Sequence, residues 1–173
     1  MRKGALDDAE ALLSDSMARF GKIPDRWGVA VARGTLGNVA FGKAVVHDAL
    51  GDAALGKSEY AIGMARLKES LNLFLQMNDG WGLATFMLAP VRGASDQGQW
   101  ELAATLMGAA VAFSDTIGAP IRVPFRQLFE ANKARARENL GEEDFARAWA
   151  RGQAMTPKEA IDFAFAPPAG QHD

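Results

Sequence analysis

Apolar residues recur along this chain at the spacing of three and four that marks one face of an α-helix. Leu6, Leu13, Met17 and Phe20 share one stripe, and Tyr60, Met64, Leu67, Leu71 and Phe74 share a second. Leu102, Leu106, Ala110, Phe113 and Ile117 form a third. Each stripe is followed by turn residues, Pro24-Asp25, Asn78-Asp79-Gly80 and Gly118-Ala119-Pro120, so a partner helix is predicted from about Arg26, Gly80 and Arg122. No run of strand length alternates apolar and polar residues with β-branched enrichment; Ala44-Val45-Val46 is too short. The pattern predicts an all-α chain with Phe20, Phe74 and Phe113 in equivalent buried positions.

The stripes are copies of one another. Leu13, Asp15, Phe20, Asp25, Trp27, Gly28 and Ala30 return as Leu67, Glu69, Phe74, Asp79, Trp81, Gly82 and Ala84 at a constant offset of 54 residues. A smaller copy sits inside the larger: Leu36-Gly37-Asn38-Val39-Ala40-Phe41-Gly42-Lys43 returns as Leu50-Gly51-Asp52-Ala53-Ala54-Leu55-Gly56-Lys57, 14 residues on. The remaining 40 residues suit a two-helix repeat and also relate Ser58-Glu59-Tyr60 to Gly98-Gln99-Trp100. The reading is an array of repeats over 1–118 with a 14-residue insertion near 43–57. Fourteen residues make close to four helical turns, so the insertion leaves the apolar face in register.

Beyond the array, Gly141 reads as a helix stop, and Glu142-Glu143-Asp144 opens a short helix carrying Phe145, Ala148 and Trp149. Thr156-Pro157-Lys158-Glu159 is a capping-box sequence with proline at the first helical position, starting a last helix that Pro167-Pro168 ends. Residues 119–166 are therefore expected to hold the last helix pair and capping helices, and 167–173 a disordered tail. All 173 residues are taken as one helical-repeat domain.

Composition narrows the function classes. There are 19 Lys and Arg against 21 Asp and Glu, a formal net charge of −2, so nucleic acid is not the expected partner. The densest basic group, Lys133, Arg135 and Arg137, reads as a solvated helix face. Cysteine is absent, which excludes disulfides and thiolate metal sites. With no long apolar run and no secretory leader, Met1-Arg2-Lys3 passing straight into an amphipathic segment, no membrane is expected and the cytoplasm is the expected location.

One catalytic-looking motif stands out. Gly51-Asp52-Ala53-Ala54-Leu55-Gly56-Lys57-Ser58 satisfies the phosphate-loop pattern, with Gly51 and Gly56 shaping the loop, Lys57 for terminal phosphates and Ser58 for magnesium. Against it, a phosphate loop needs a buried strand before it, and the near copy from Gly37 lacks the hydroxyl. The favoured reading is an inter-helix turn, and no cofactor is expected. His47 and His172 are the only histidines and lie on an insertion and in the tail, which favours neither a metal site nor a histidine base. Asp7-Asp8 with Glu10 reads as a favourable helix N-terminus in preference to an acidic metal cluster. Trp27, Trp81 and Trp100 read as packing residues in preference to a ligand groove.

The placing of Leu50-Gly51, Ala54, Tyr60, Leu67 and Leu71 resembles the packing positions of tetratricopeptide-type repeats. Leu67-Lys68-Glu69-Ser70-Leu71-Asn72-Leu73-Phe74 with Asn78-Asp79-Gly80-Trp81-Gly82-Leu83-Ala84 is similar to the helical-repeat region C-terminal in LuxR-type and AfsR-type signal-transduction ATPases of actinobacteria. Leu106-Met107-Gly108-Ala109-Ala110 and Leu140-Gly141-Glu142-Glu143-Asp144-Phe145 to Thr156-Pro157-Lys158-Glu159-Ala160 resemble the closing segment of those regulators. The resemblance spans almost the whole chain, without an ATPase core or a DNA-reading domain. It implies a right-handed array of antiparallel helix pairs with C-terminal capping helices, acting as a sensor or scaffold part. Pro90 departs from it, in mid-course of a second helix.

Two function classes are carried forward: a non-enzymatic module that binds a protein, a peptide or a second copy, and a nucleotide-binding protein or small enzyme using Gly51 to Ser58. The first is preferred. Its expected partner contact is the stripe of Leu6, Leu13 and Met17 in the N-terminal unit, which self-association would also use.

Overall fold

The computed structural model describes residues 3–49, 53–116, 118 and 123–166. These residues are helical, joined by turns, with no strand among them. They fall into two compact units, Met1–Met77 and Asn78–Asp173. Several expectations lie outside the described residues: Ile117, the Ala119-Pro120 turn, the Leu50-Gly51-Asp52 junction, His172 and the tail from Pro167.

The first unit holds α1 (Lys3–Phe20), α2 (Arg26–Ala49) and α3 (Ala53–Gln76). The predicted stripe of α3 is buried where it matters most, with Leu67, Leu71 and Phe74 fully covered. Helices α2 and α3 approach closely at two glycines. A Cβ on Gly37 would lie 2.8 Å from Leu67 Cγ and 3.0 Å from the Gly63 carbonyl, and one on Gly63 would meet the Phe41 ring at 2.8 Å. The Phe41 ring in turn lies 5.1 Å from that of Tyr60. The buried Ser70 hydroxyl donates to the Ala30 carbonyl at 2.7 Å, satisfying the one polar group that the α3 stripe carries into the contact.

Helix α1 rests mainly on α2, and of its stripe only Leu6 is buried. Leu13, Met17 and Phe20 are half-buried, which corrects the expectation that Phe20 matches Phe74 and Phe113. The Phe20 ring lies over the first turn of α2, where a Cβ on Gly28 would reach it at 2.8 Å. Gly28 is thus the residue that lets α1 end against α2.

The internal duplication sits differently from the expectation. Leu36 to Lys43 lies inside α2, and the described part of its copy, Ala53 to Lys57, lies inside α3. The insertion therefore lengthens both arms of a hairpin of two 24-residue helices. The relation of Ser58-Glu59-Tyr60 to Gly98-Gln99-Trp100 fails locally, since the first is within α3 and the second is the turn into α6.

The second unit holds α4 (Gly80–Phe86), α5 (Leu88–Asp96), α6 (Trp100–Thr116), α7 (Val123–Leu140), α8 (Glu142–Gln153) and α9 (Pro157–Ala164). Pro90 breaks the predicted helix in two. Lacking an N–H, it leaves the Phe86 carbonyl without its i+4 donor, and the chain re-enters a helix after Met87. Helix α6 is central: every residue from Ala103 to Ala110 is buried, and α4, α5, α7, α8 and α9 all touch it. Helix α8 is its most extensive partner, so α8 builds the core of this unit as well as closing it. Gly141, at φ 79°, ends α7, and its N–H reaches the Arg137 carbonyl at 2.9 Å. The capping box before α9 is complete: Thr156 Oγ1 accepts from the Glu159 N–H, and Glu159 accepts the Thr156 N–H at 2.8 Å.

Candidate protein-interaction surface

The long repeat is a repeat of local structure at its turns. In Asp25-Arg26-Trp27-Gly28, Asp25 Oδ1 accepts the Gly28 N–H at 2.8 Å. In Asp79-Gly80-Trp81-Gly82, Asp79 Oδ1 accepts the Gly82 N–H at 3.1 Å. Both aspartates are helix N-caps, and each places a tryptophan in the first turn that follows.

The phosphate-loop-like segment has another conformation. Gly51 lies outside the described residues, while Gly56, Lys57 and Ser58 are in the second turn of α3, with Gly56 buried and Lys57 and Ser58 exposed. The element before it is α2, so no strand delivers a loop here. The reading of this glycine-lysine pair as an inter-helix turn is corrected as well, since both residues are helical.

The expected partner stripe divides. Leu6 is only 7% exposed, because it sits over Gly42 of α2, with its Cδ2 3.3 Å from where a Gly42 Cβ would be. That removes Leu6 from the accessible surface, and it leaves Leu13 and Met17 half-covered. The apolar residue that α1 does present is Leu12, 70% exposed. Ile23 in the following turn and Trp27 in the first turn of α2 are exposed by 56% and 48%. Val45, Leu55 and Ile62 are also exposed, so the large exposed apolar side chains of the described residues belong to the first unit with the single exception of Leu128. Trp81 and Trp100, in the second unit, are half-buried.

Asp7 and Glu10 do not serve the helix N-terminus, which lies a turn earlier, at Lys3. They flank Lys43 of α2, whose Nζ lies 2.6 Å from Asp7 Oδ1 and 2.5 Å from Glu10 Oε2. Glu10 Oε1 also accepts from Arg66 of α3 at 3.0 Å. The hydrogen bond from Lys43 holds the Glu10 carboxyl below its ordinary pKa against the opposing effect of burial, with Arg66 assisting. The bonds to Asp7 and Glu10 hold the Lys43 ammonium above its own, again against burial. Neither Lys43 nor Arg66 has a signal in the helical periodicity. Lys43 is the duplicate of the exposed Lys57, and only its opposition to α1 distinguishes them.

The basic triplet of α7 is more than a solvated face. Lys133 Nζ lies 4.7 Å from the centre of a Trp149 ring, and the Arg135 and Arg137 guanidinium carbons lie 5.0 and 4.8 Å from the Trp100 and Phe145 rings. Arg151 of α8 covers the Phe163 ring at 4.6 Å and borders a shallow cleft with Met155, Glu159 and Asp162. These cations stack on aromatic rings of the second unit. Among the described residues no group of His, Asp and Glu is arranged to hold a metal ion; His47 is buried on α2.

No family model, no curated protein and no solved structure matches this chain. Nor is any helix of the described residues long and apolar enough to cross a membrane. The described surface carries exposed apolar side chains in the first unit and cations stacked on aromatic rings in the second.

Proposed function

We propose that this chain is a non-enzymatic protein-interaction module, built as a tetratricopeptide-like right-handed array, that serves as a sensor or scaffold part of a bacterial transcriptional or signalling regulator. The observation that carries the reading is the exposure of Leu12, Ile23 and Trp27 along α1, its turn and α2, where a helical scaffold presents apolar side chains that its own packing leaves open. The duplicated aspartate-tryptophan-glycine cap supports the repeat architecture. The resemblance to the repeat region of LuxR-type and AfsR-type regulators supports the signalling context, and the cysteine-free sequence suits a cytoplasmic protein.

The partner is a protein or peptide, or a second copy meeting the first unit. Affinity purification of the full chain from its native host, wild type beside Leu12→Glu and Trp27→Glu, tests the reading. One partner enriched by the wild type and lost with both variants is the expected result. Equal recovery with all three would count against it.

A further inference from the structure

Helix α1 is attached to its unit in an unusual way. Of its described residues only Leu6 is fully buried; Leu13, Met17 and Phe20 are half-buried, and the polar part of the contact is made by Asp7 and Glu10 on Lys43 and by Glu10 on Arg66. Those ion pairs are partly open to water: the Asp7 and Glu10 side chains are 51% and 29% exposed, that of Arg66 30%. Attraction between such groups is weakened by salt, and one buried leucine with three half-buried apolar side chains adds less apolar burial than the fully covered stripe of α3. Removing α1 would also leave Lys43 and Arg66 free to hydrate, so their separation from α1 lacks the heavy penalty of a charge stranded in a core.

The surface beneath α1 has a definite chemistry. Two cations stand on it, Lys43 from α2 and Arg66 from α3, beside the notch at Gly42 that takes a leucine side chain. An occupant needs a leucine, a carboxylate one position later and another four positions later, the arrangement of Leu6, Asp7 and Glu10 on one helical face. We infer that α1 is a displaceable occupant of a helix-binding seat on α2 and α3, and that the partner this seat accepts in trans is an acidic amphipathic helix of that pattern. This rests on reading the chain as an interaction module and names one site and one partner class within it. In the free chain α1 fills the seat and inhibits it.

The test uses the full chain and, as probe, a fluorescent peptide of residues 3–20. Asp7→Asn with Glu10→Gln in the chain should loosen its own α1, seen as faster amide hydrogen exchange over 3–20 with α2 and α3 still protected. The same variant should bind the peptide about tenfold more tightly than wild type does, and 1 M NaCl should abolish that gain. Lys43→Glu added to the variant should abolish peptide binding, and a peptide with Asp7→Lys, its Glu10 kept opposite Arg66, should restore part of it. The inference is overturned if α1 exchange is unchanged in the double variant, if the loosened chain does not bind the peptide, or if binding ignores Lys43→Glu. Because Leu12, Ile23 and Trp27 are untouched, co-purification of a partner that depends on them would survive such a failure. Loss of that co-purification with peptide binding intact would instead remove the broader reading.

Discussion

Gly108 of α6 and Gly152 of α8 each face the backbone of the other's helix. A Cβ on Gly152 would overlap the Thr105 carbonyl oxygen and stand 3.0 Å from the Ala109 nitrogen, and one on Gly108 would overlap the carbonyl of Trp149. The obstacle on both sides is main chain, which cannot move aside as a side-chain tip can. Gly152→Ala is therefore expected to destabilise the second unit by about 2 to 3 kcal/mol, despite the better helix propensity of alanine. Gly4→Ala on α1, where nothing lies within 4 Å, should be neutral or slightly stabilising. Thermal melts of the two variants beside wild type check the contrast.

Phe74 is fully buried in α3, whereas its sequence counterpart Phe20 is half-buried. Phe74→Ala should cost about 3 to 5 kcal/mol, and Phe20→Ala clearly less. Equal losses in urea unfolding would contradict the difference in burial.

The capping aspartates give a matched pair. Asp25→Ala and Asp79→Ala each remove one side-chain acceptor from the N–H of the glycine three residues on, and each should cost about 1 kcal/mol. Asparagine at either position should retain most of the stability. Chemical denaturation of the four variants tests this.

Stability of the first unit should depend on pH at both ends. Glu10 has a folded pKa below its ordinary 4.5, so its contribution is present above that value and is lost as the pH falls through the lowered one. Lys43 has a folded pKa above its ordinary 10.5, so its contribution is complete below that value and is lost as the pH rises through the raised one. The protection of α1 amides relative to their intrinsic exchange rates should accordingly be greatest at neutral pH and should fall as the pH drops below the ordinary carboxylate value of Glu10. Glu10→Gln should flatten much of the acid side.

Lys57 is exposed on α3, so Lys57→Ala should change stability by less than about 0.5 kcal/mol. Calorimetric titration of the full chain with ATP and magnesium should show no heat of binding. Saturable binding abolished by that substitution would revive the nucleotide reading.

Helix content was legible because three stripes at helical spacing and their turn residues agree, and because Thr156 to Glu159 carries its whole cap within four residues. Pro90 signalled a disturbed helix, since loss of an N–H acts locally. What periodicity does not carry is which side of a helix meets which neighbour. Lys43 and Lys57 end similar local sequences, yet one is buried between two carboxylates and the other is in water, because only the first lies opposite α1. Nothing in the periodicity marks Gly37, Gly63, Gly108 and Gly152 as points of close approach until the crossing helices are in place. Leu6, expected at the partner contact, is turned onto Gly42, while Leu12, outside the predicted stripe, faces outward.

A first unit that engages a partner through its exposed apolar side chains should crosslink to that partner there. Photo-crosslinking residues placed one at a time at Leu12, Ile23 and Trp27, with Lys158 as a control on the second unit, test this in native host cells. The expected result is the same single adduct from the three apolar positions and none from the control. No adduct from those positions, or the same adduct from all four, would contradict it.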